Sequence, residues 1–161
     1  MTVGTPVRES ETLASIRKLL LGTLAVGIFG TVGELILLRH IDKPAQWIPL
    51  VMLAAGIVVI AWHTASPGRA SVRTLQALMV VFIATGALGV ALHYDGNVDF
   101  ERELSPAEHG FEFLRKTVAG ATPVLAPGSM TLLGLVGFAH TYRHPCLAGA
   151  AGKTGSQETQ L

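Results

Sequence analysis

The sequence predicts an all-α integral membrane protein: a four-transmembrane-helix bundle with a short amphipathic helix in the third, outer loop. Half of the 161 residues are apolar and only 14% are charged. The apolar residues occur in runs of about twenty, the length that a helix needs to cross the hydrocarbon core of a bilayer. Short segments rich in charged residues, proline and glycine separate these runs, so consecutive spans are joined by loops.

These patterns divide the chain into an arm, a membrane domain and a tail. The arm lacks helical apolar periodicity and is expected to be flexible, and the tail is rich in Gly, Ala, Ser and Gln and is expected to be disordered. The predicted boundaries are 1–14 for the arm, 15–144 for the membrane domain, about 17–39, 44–63, 73–94 and 122–143 for its spans, 95–121 for the outer loop, and 145–161 for the tail.

The first span contains a carboxylate, Glu34, near its outer end. An ionisable side chain inside a membrane is costly and usually faces protein or water. Glu34 shares a helix face with Gly27 and Gly30, and small residues allow another helix to approach closely. We therefore expect Glu34 to point into the helix bundle.

The remaining spans have recognisable ends. Trp47 and Trp62 lie at the two ends of the second span, as in the aromatic belts of membrane proteins. Ser66–Gly68 is typical turn chemistry and separates the second span from the third. The fourth span ends before Pro145, because proline cannot continue a helix. The first apolar run is longer than the core of a cleavable signal peptide, so we expect it to be retained.

The outer loop is predicted to contain a strand followed by a short helix. Residues 97–104 alternate between two kinds of side chain with a period of two, which is typical of a strand. Ser105–Glu108 fits a capping box with proline at the first helical position. The helix that follows would place Phe111, Leu114 and Val118 on one face, so it is expected to lie flat on the bundle or in the outer interface.

Three carboxylates follow one edge of this predicted strand: Asp99, Glu101 and Glu103. They would face a basic partner or a hard cation such as calcium, which binds oxygen ligands. The alternative is a solvated strand face without a ligand.

Charge and cysteine content narrow the class of protein. The formal net charge of +1 argues against nucleic-acid binding, which needs a concentrated basic surface. The single cysteine, Cys146, rules out an internal disulfide framework. Seven basic residues lie in the arm, the second loop and the tail or at the span ends beside them, and five lie in the first and third loops or at their span ends, which predicts cytoplasmic termini. The expected location is the cell membrane, with the bacterial inner membrane favoured.

Glu34 and His93 are the first candidates for function, because both lie near the outer ends of spans. His93 shares its helix face with Gly86 and Gly89. A carboxylate and an imidazole at similar depth on closely packed helices would form a proton-binding pair or bind a cationic ligand. The alternative is that Glu34 reaches the lipid headgroups or pairs locally.

Histidines and carboxylates indicate two further candidate sites. On the outer side, His40, Asp42 and Asp95 combine imidazole and carboxylate donors that suit a divalent transition metal. On the inner side, His63 and His140 end separate spans and would supply the two ligands of a six-coordinate haem. The alternative for both sets is a role as ordinary interface residues in contact with water. No cofactor is expected, and haem or a divalent metal are the open alternatives.

The functional hypotheses follow from these features. No nucleophile lies beside a base in a recognisable motif, so the sequence favours a non-enzymatic protein. The main hypothesis is an accessory or interaction subunit that packs against itself or another membrane protein through Gly-rich helix faces. The alternatives are a proton-coupled small-molecule transporter that uses Glu34 with His93, and a haem- or metal-binding membrane protein.

The transporter hypothesis is accompanied by a resemblance of this chain to a known class of membrane proteins. Four short spans with one carboxylate, Glu34, in the first resemble the small multidrug transporters. Those proteins carry their glutamate at the middle of a helix and have short loops. The long third loop and the position of Glu34 near a helix end depart from that pattern.

Overall fold

In the computed structural model, which describes residues 11–39, 44–120, 124 and 126–148, the chain is helical and contains no strand within these ranges. This confirms the all-α class for the described residues. A short 3₁₀ turn at Pro44–Gln46 precedes the second helix. The helices are α1 (Glu11–Leu37), α2 (Trp47–Ala65), α3 (Arg69–Leu104), α4 (Phe111–Val118), α5 (Gly128–Thr141) and α6 (Pro145–Ala148).

Three of these helices, α1, α2 and α3, are long and apolar enough to cross a membrane. The shortest of them, α2, has 19 residues and is about 28 Å long at a rise of about 1.5 Å per residue. The described part of the fourth predicted span is shorter: α5 has 14 residues, or about 21 Å. The predicted start of that span, at 122 and 123, lies outside the described residues.

Helix α5 packs mainly against α3 and also against α1, and glycines bring these helices close together. A Cβ atom on Gly86 would lie 2.5 Å from the backbone nitrogen of Thr131, and one on Gly134 would lie 2.8 Å from the carbonyl oxygen of Met79. Gly27 similarly faces Leu133. The Gly-rich faces that the sequence suggested for a partner are therefore used, at these positions, inside the chain. The core consists of Leu24, Ile28, Leu53, Leu75, Met79, Phe82, Met130 and Leu133.

The strand predicted at 97–104 is wrong, because α3 continues through this segment to Leu104. An alternation over eight residues is a weak signal, and Glu, Arg and Leu in the segment favour helix. The helix ends where Pro106 disfavours helical backbone at the residue before it. Ser105 accordingly serves as the C-terminal cap of α3.

The amphipathic helix of the predicted outer loop begins later than expected, at Phe111 rather than at Pro106. Ser105 and Pro106 belong to the turn after α3, and Gly110 has a φ of 78°, a backbone conformation that favours glycine. Asn97 of α3 is buried and donates a 2.9 Å hydrogen bond from Nδ2 to the carbonyl of Thr117, which ties α4 to α3.

Helix α4 has the apolar and polar faces that the sequence predicts, but its apolar face does not pack on the bundle in the single chain. Phe111 is 78% exposed in the single chain, and Leu114 and Val118 are exposed beside it. On the polar side, Arg115 donates a 3.0 Å hydrogen bond from Nε to Glu112. This hydrogen bond lowers the pKa of the Glu112 carboxyl below its ordinary value.

Both chain ends differ from the predicted arm and tail. Helix α1 already begins at Glu11, an acidic residue whose charge is favourable in a first helical turn. At the other end, Pro145–Ala148 forms a helical turn. Residues 1–10 and 149–161 lie outside the described residues.

Candidate metal centre

Four helices meet at one end of the molecule: α1 and α3 begin there, and α2 and α5 end there. His63 comes from the end of α2, His140 from the end of α5, and His144 from the segment that follows α5. Each histidine offers one ring nitrogen, and the three nitrogens lie within 4.8 Å of one another. No Asp, Glu or Cys in the described ranges joins this group.

His63 is held in place by the first turn of α3. The side chain is 4% exposed, and its Nδ1 atom lies 3.1 Å from Oγ of Ser71. The same hydroxyl accepts a hydrogen bond from the amide of Gly68 and reaches the carbonyls of Ser66 and Gly68. Because the hydroxyl can rotate, Ser71 is able either to donate to His63 or to accept from it.

His140 is fixed by α1. The ring is 3% exposed, and its Nδ1 atom lies 3.0 Å from the carbonyl oxygen of Arg17. A carbonyl oxygen only accepts, so Nδ1 of His140 carries a proton and Nε2 presents a lone pair in the neutral ring. The Arg17 guanidinium in turn donates to the carbonyls of His140, Tyr142 and Arg143, at 2.7, 2.9 and 3.1 Å.

The Nε2 atoms of His63 and His140 are 3.3 Å apart. Without a bound ion, one continuous chain of hydrogen bonds satisfies both rings: Ser71 donates to His63, and Nε2 of His63 donates to His140. If Ser71 instead donates to a backbone carbonyl, Nδ1 of His63 carries the proton. Both Nε2 atoms then carry a lone pair, and they are separated by 3.3 Å.

His144 completes the group from the third side. Its ring centroid lies 5.4 Å from that of His63 and 5.6 Å from that of His140. The residue is half-buried, and its Nδ1 atom accepts a 3.3 Å hydrogen bond from the amide of Cys146. In the neutral ring this places the proton on Nε2, so His144 becomes a metal ligand only when this hydrogen bond breaks. A backbone turn brings the ring back toward the helix, since Arg143 has a φ of 47°.

Sequence reasoning placed His63 and His140 on the same side but missed His144. A usable signal was present, because His140 and His144 are spaced His-x-x-x-His, the separation of two ligands on one helical turn. Helix α5 ends at Thr141, so the backbone turn rather than a continuous helix brings the second histidine inward.

The outer candidate residues do not form a comparable group. His40 and Asp42 lie outside the described residues, and Asp95 is exposed on α3. Asp99 and Glu103 are exposed and Glu101 is half-buried, all on a helix instead of a strand.

The expected orientation of Glu34 is wrong for the single chain. Glu34 is exposed, and His93 is half-buried. Gly27, seven residues earlier on the same helix face, lies against Leu133 of α5, so the packing of α1 against α5 does not extend to Glu34. Nothing lies within 4 Å of a Cβ atom built on Gly30, which leaves this part of α1 open.

The donor set and spacing define the ligand class. Two nitrogen ligands about 2.0–2.1 Å from a tetrahedral zinc ion lie about 3.3–3.4 Å from each other, which matches the contact between His63 and His140. Imidazole donors suit zinc, copper, nickel and iron, whereas magnesium and calcium prefer oxygen. With the rings in direct contact no porphyrin plane fits between them, so the arrangement favours a single ion over haem. Comparisons with protein-family models, curated proteins and solved structures gave no match to this chain.

Proposed function

We propose that this chain is a multi-pass membrane protein that binds a transition-metal ion through His63, His140 and His144. The observation that carries the proposal is the convergence of three imidazole nitrogens within 4.8 Å. Two of these rings are buried and have a second nitrogen engaged by Ser71 or by the carbonyl of Arg17. Such partners for the non-coordinating nitrogen are characteristic of histidine ligands in metal sites.

The membrane part of the proposal is supported by the surface of the long helices. Side chains that face outward from α1, α2 and α3 are apolar and exposed in the single chain, as expected of a surface covered by lipid. We propose that α5, with the residues before it, makes a fourth crossing, and that the termini are cytoplasmic in a cell membrane. The exposed apolar residues include Leu19, Val26, Phe29, Leu37, Val51, Val58, Val80, Leu88 and Leu92.

In this topology the histidine group lies at the cytoplasmic end of the bundle. Helices α2 and α5 end there and helices α1 and α3 begin there, and His63 and His140 each lie within the last three residues of their helix. The site is therefore within reach of cytoplasmic metal ions, while the protein shields two of its three ligands.

Metal binding to the purified protein tests the proposal. The full chain is purified in a mild detergent with an affinity tag that contains no histidine, stripped with a chelator, and titrated with zinc, copper, nickel and iron(II) salts. We expect one ion per chain, and we expect the His63→Ala and His140→Ala variants to lose it. His93→Ala, which removes a histidine outside the group, should bind as the wild type does.

The control for folding is helix content and thermal unfolding of each metal-free variant, measured by circular dichroism. If a variant unfolds, the milder substitution His140→Gln is used, because it retains a side chain of similar size that can hydrogen-bond to Arg17. A folded wild-type protein that binds no metal, or variants that bind as tightly as the wild type, would overturn the proposal.

The interaction-subunit hypothesis remains a prediction, and the described helical glycines fall into two groups. Gly27, Gly86, Gly89, Gly134 and Gly137 face other segments of the same chain, whereas Gly22, Gly30 and Gly33 on α1 have nothing within 4 Å of a Cβ atom and stay open to a partner. The transporter hypothesis based on Glu34 remains a prediction, and its test is loss of proton-coupled flux in proteoliposomes with Glu34→Gln.

A further inference from the structure

We propose that a metal ion in the histidine group takes a small anion from outside the protein as its fourth ligand. The anion class comprises hydroxide, carboxylates and phosphate, including the phosphate of a lipid headgroup. This inference rests on the proposed function, because it requires a bound ion. It goes beyond that function by giving the site an open, exchangeable position, as in catalytic zinc sites rather than structural ones.

The number and charge of the donors leave one coordination position of a bound ion open. The group contains three imidazoles, and no carboxylate or thiolate within the described ranges joins it. Zinc and its neighbours in proteins are commonly four-coordinate, so one position is left for an external ligand. Neutral imidazoles also leave the positive charge of the ion uncompensated, and a buried charge requires a partner of opposite sign.

The histidine group is accessible from one side. His63 and His140 are 4% and 3% exposed, whereas His144 is half-buried. The rings of His63 and His140 are backed by α3 and α1 through Ser71 and Arg17. An external ligand therefore approaches the ion on the side of His144.

Charged side chains around the group also favour an anion. The buried Arg17 guanidinium lies 2.7 Å from the carbonyl oxygen of His140, a residue of the group. The helix dipoles add little net charge, because α1 and α3 begin at this end with partial positive charge while α2 and α5 end there with partial negative charge. The guanidinium therefore favours an anion over a second cation or a neutral ligand. Exposed basic residues near the same helix ends add to the effect: Lys18, Arg69, Arg73 and Arg143.

Cobalt(II) is a suitable probe, because its visible absorption reports coordination number and ligand exchange. The full chain is loaded with one equivalent of cobalt(II) and titrated separately with azide, acetate and inorganic phosphate, with protein-free cobalt in the same medium as the blank. We expect a saturable change in the visible spectrum with at least azide. A spectrum that stays unchanged to saturating azide would show that the fourth ligand comes from the protein, and would overturn the inference.

The medium distinguishes a free anion from a lipid phosphate. The titration is run in a maltoside detergent, which has no phosphate, and in phosphatidylcholine nanodiscs. If a headgroup occupies the fourth position, azide binds several-fold more weakly in nanodiscs than in detergent. If a free anion occupies it, the two media give equal affinities. Failure of cobalt to bind at all would count against the proposed function instead, so the two failures are distinguishable.

Discussion

The Nε2 atoms of His63 and His140 lie 3.3 Å apart, although 77 positions separate the two residues in the sequence. The contact joins the end of α2 to the end of α5. The other nitrogen of each ring is held by a third or fourth helix: Nδ1 of His63 by Ser71 of α3, and Nδ1 of His140 by the carbonyl of Arg17 in α1. The metal-binding proposal therefore depends on how the ends of four helices are arranged.

Ser71 is predicted to control the metal affinity without being a ligand. In Ser71→Ala, Nδ1 of His63 loses its partner, so the ring orientation and tautomer are less well fixed. We expect the affinity for zinc to fall about 10–100-fold with the number of sites unchanged, measured by competition with a chromophoric chelator. Ser71→Thr retains the hydroxyl and should bind nearly as the wild type does.

Ser71 also accepts a hydrogen bond from the amide of Gly68 at the start of α3, so the stability of the metal-free variants has to be measured in parallel. An equal zinc affinity in Ser71→Ala and the wild type would mean that Ser71 serves only to cap α3.

Arg17 is predicted to be a major contributor to stability. Its side chain is 8% exposed and donates to three backbone carbonyls at the end of α5. Arg17→Gln removes most of these charge-assisted bonds, and we expect a loss of about 3 kcal/mol or more. Thermal unfolding in detergent, followed by circular dichroism, provides the measurement.

The neighbouring Lys18 is exposed and supplies the control, because Lys18→Gln should change the unfolding temperature little. Arg17→Lys should recover only part of the loss, since an ammonium group cannot reach three carbonyls with the planar geometry of a guanidinium. Similar unfolding temperatures for Arg17→Gln and Lys18→Gln would contradict this role.

Gly86 is predicted to be intolerant of even a methyl group. A Cβ atom there would lie 2.5 Å from the backbone nitrogen of Thr131 and 3.0 Å from the carbonyl oxygen of Pro127. Backbone atoms cannot move aside cheaply, so Gly86→Ala should push α5 away from α3 and cost about 1–3 kcal/mol.

The matched control for Gly86 is Gly30→Ala on α1. No atom lies within 4 Å of a Cβ built there, and alanine is the better helix former by about 1 kcal/mol. In unfolding experiments Gly30→Ala should therefore equal or exceed the wild type in stability. A Gly86→Ala variant as stable as Gly30→Ala would show that the two helices are less closely packed than described.

Asn97 is predicted to hold α4 against α3. Asn97→Ala leaves the buried carbonyl of Thr117 without this donor, which costs about 1–3 kcal/mol. We expect faster amide hydrogen exchange in Phe111–Val118 and unchanged exchange in α1 and α2. Asp99→Asn, two residues away and exposed, is the control and should leave the exchange of α4 as it is in the wild type.

Local features could be predicted from the sequence because they depend on neighbouring residues. The length and polarity of an apolar run indicated the three long helices, and Pro145 indicated the end of α5. The amphipathic α4 was predicted for the same reason, from its own spacing of Phe111, Leu114 and Val118. Its start was misplaced because Ser105–Glu108 fits a helix cap equally well as a turn.

The direction in which each helix faces was decided only by the tertiary structure. Glu34 shares a helix face with Gly27 and Gly30, but of these glycines only Gly27 lies against another segment, at Leu133 of α5. Glu34 is exposed, because a face of small residues does not determine how far along the helix its partner extends. The meeting of His63, His140 and His144 likewise required α2 and α5 to end at the same depth. That depth is fixed by contacts between helices far apart in sequence, which no local pattern encodes.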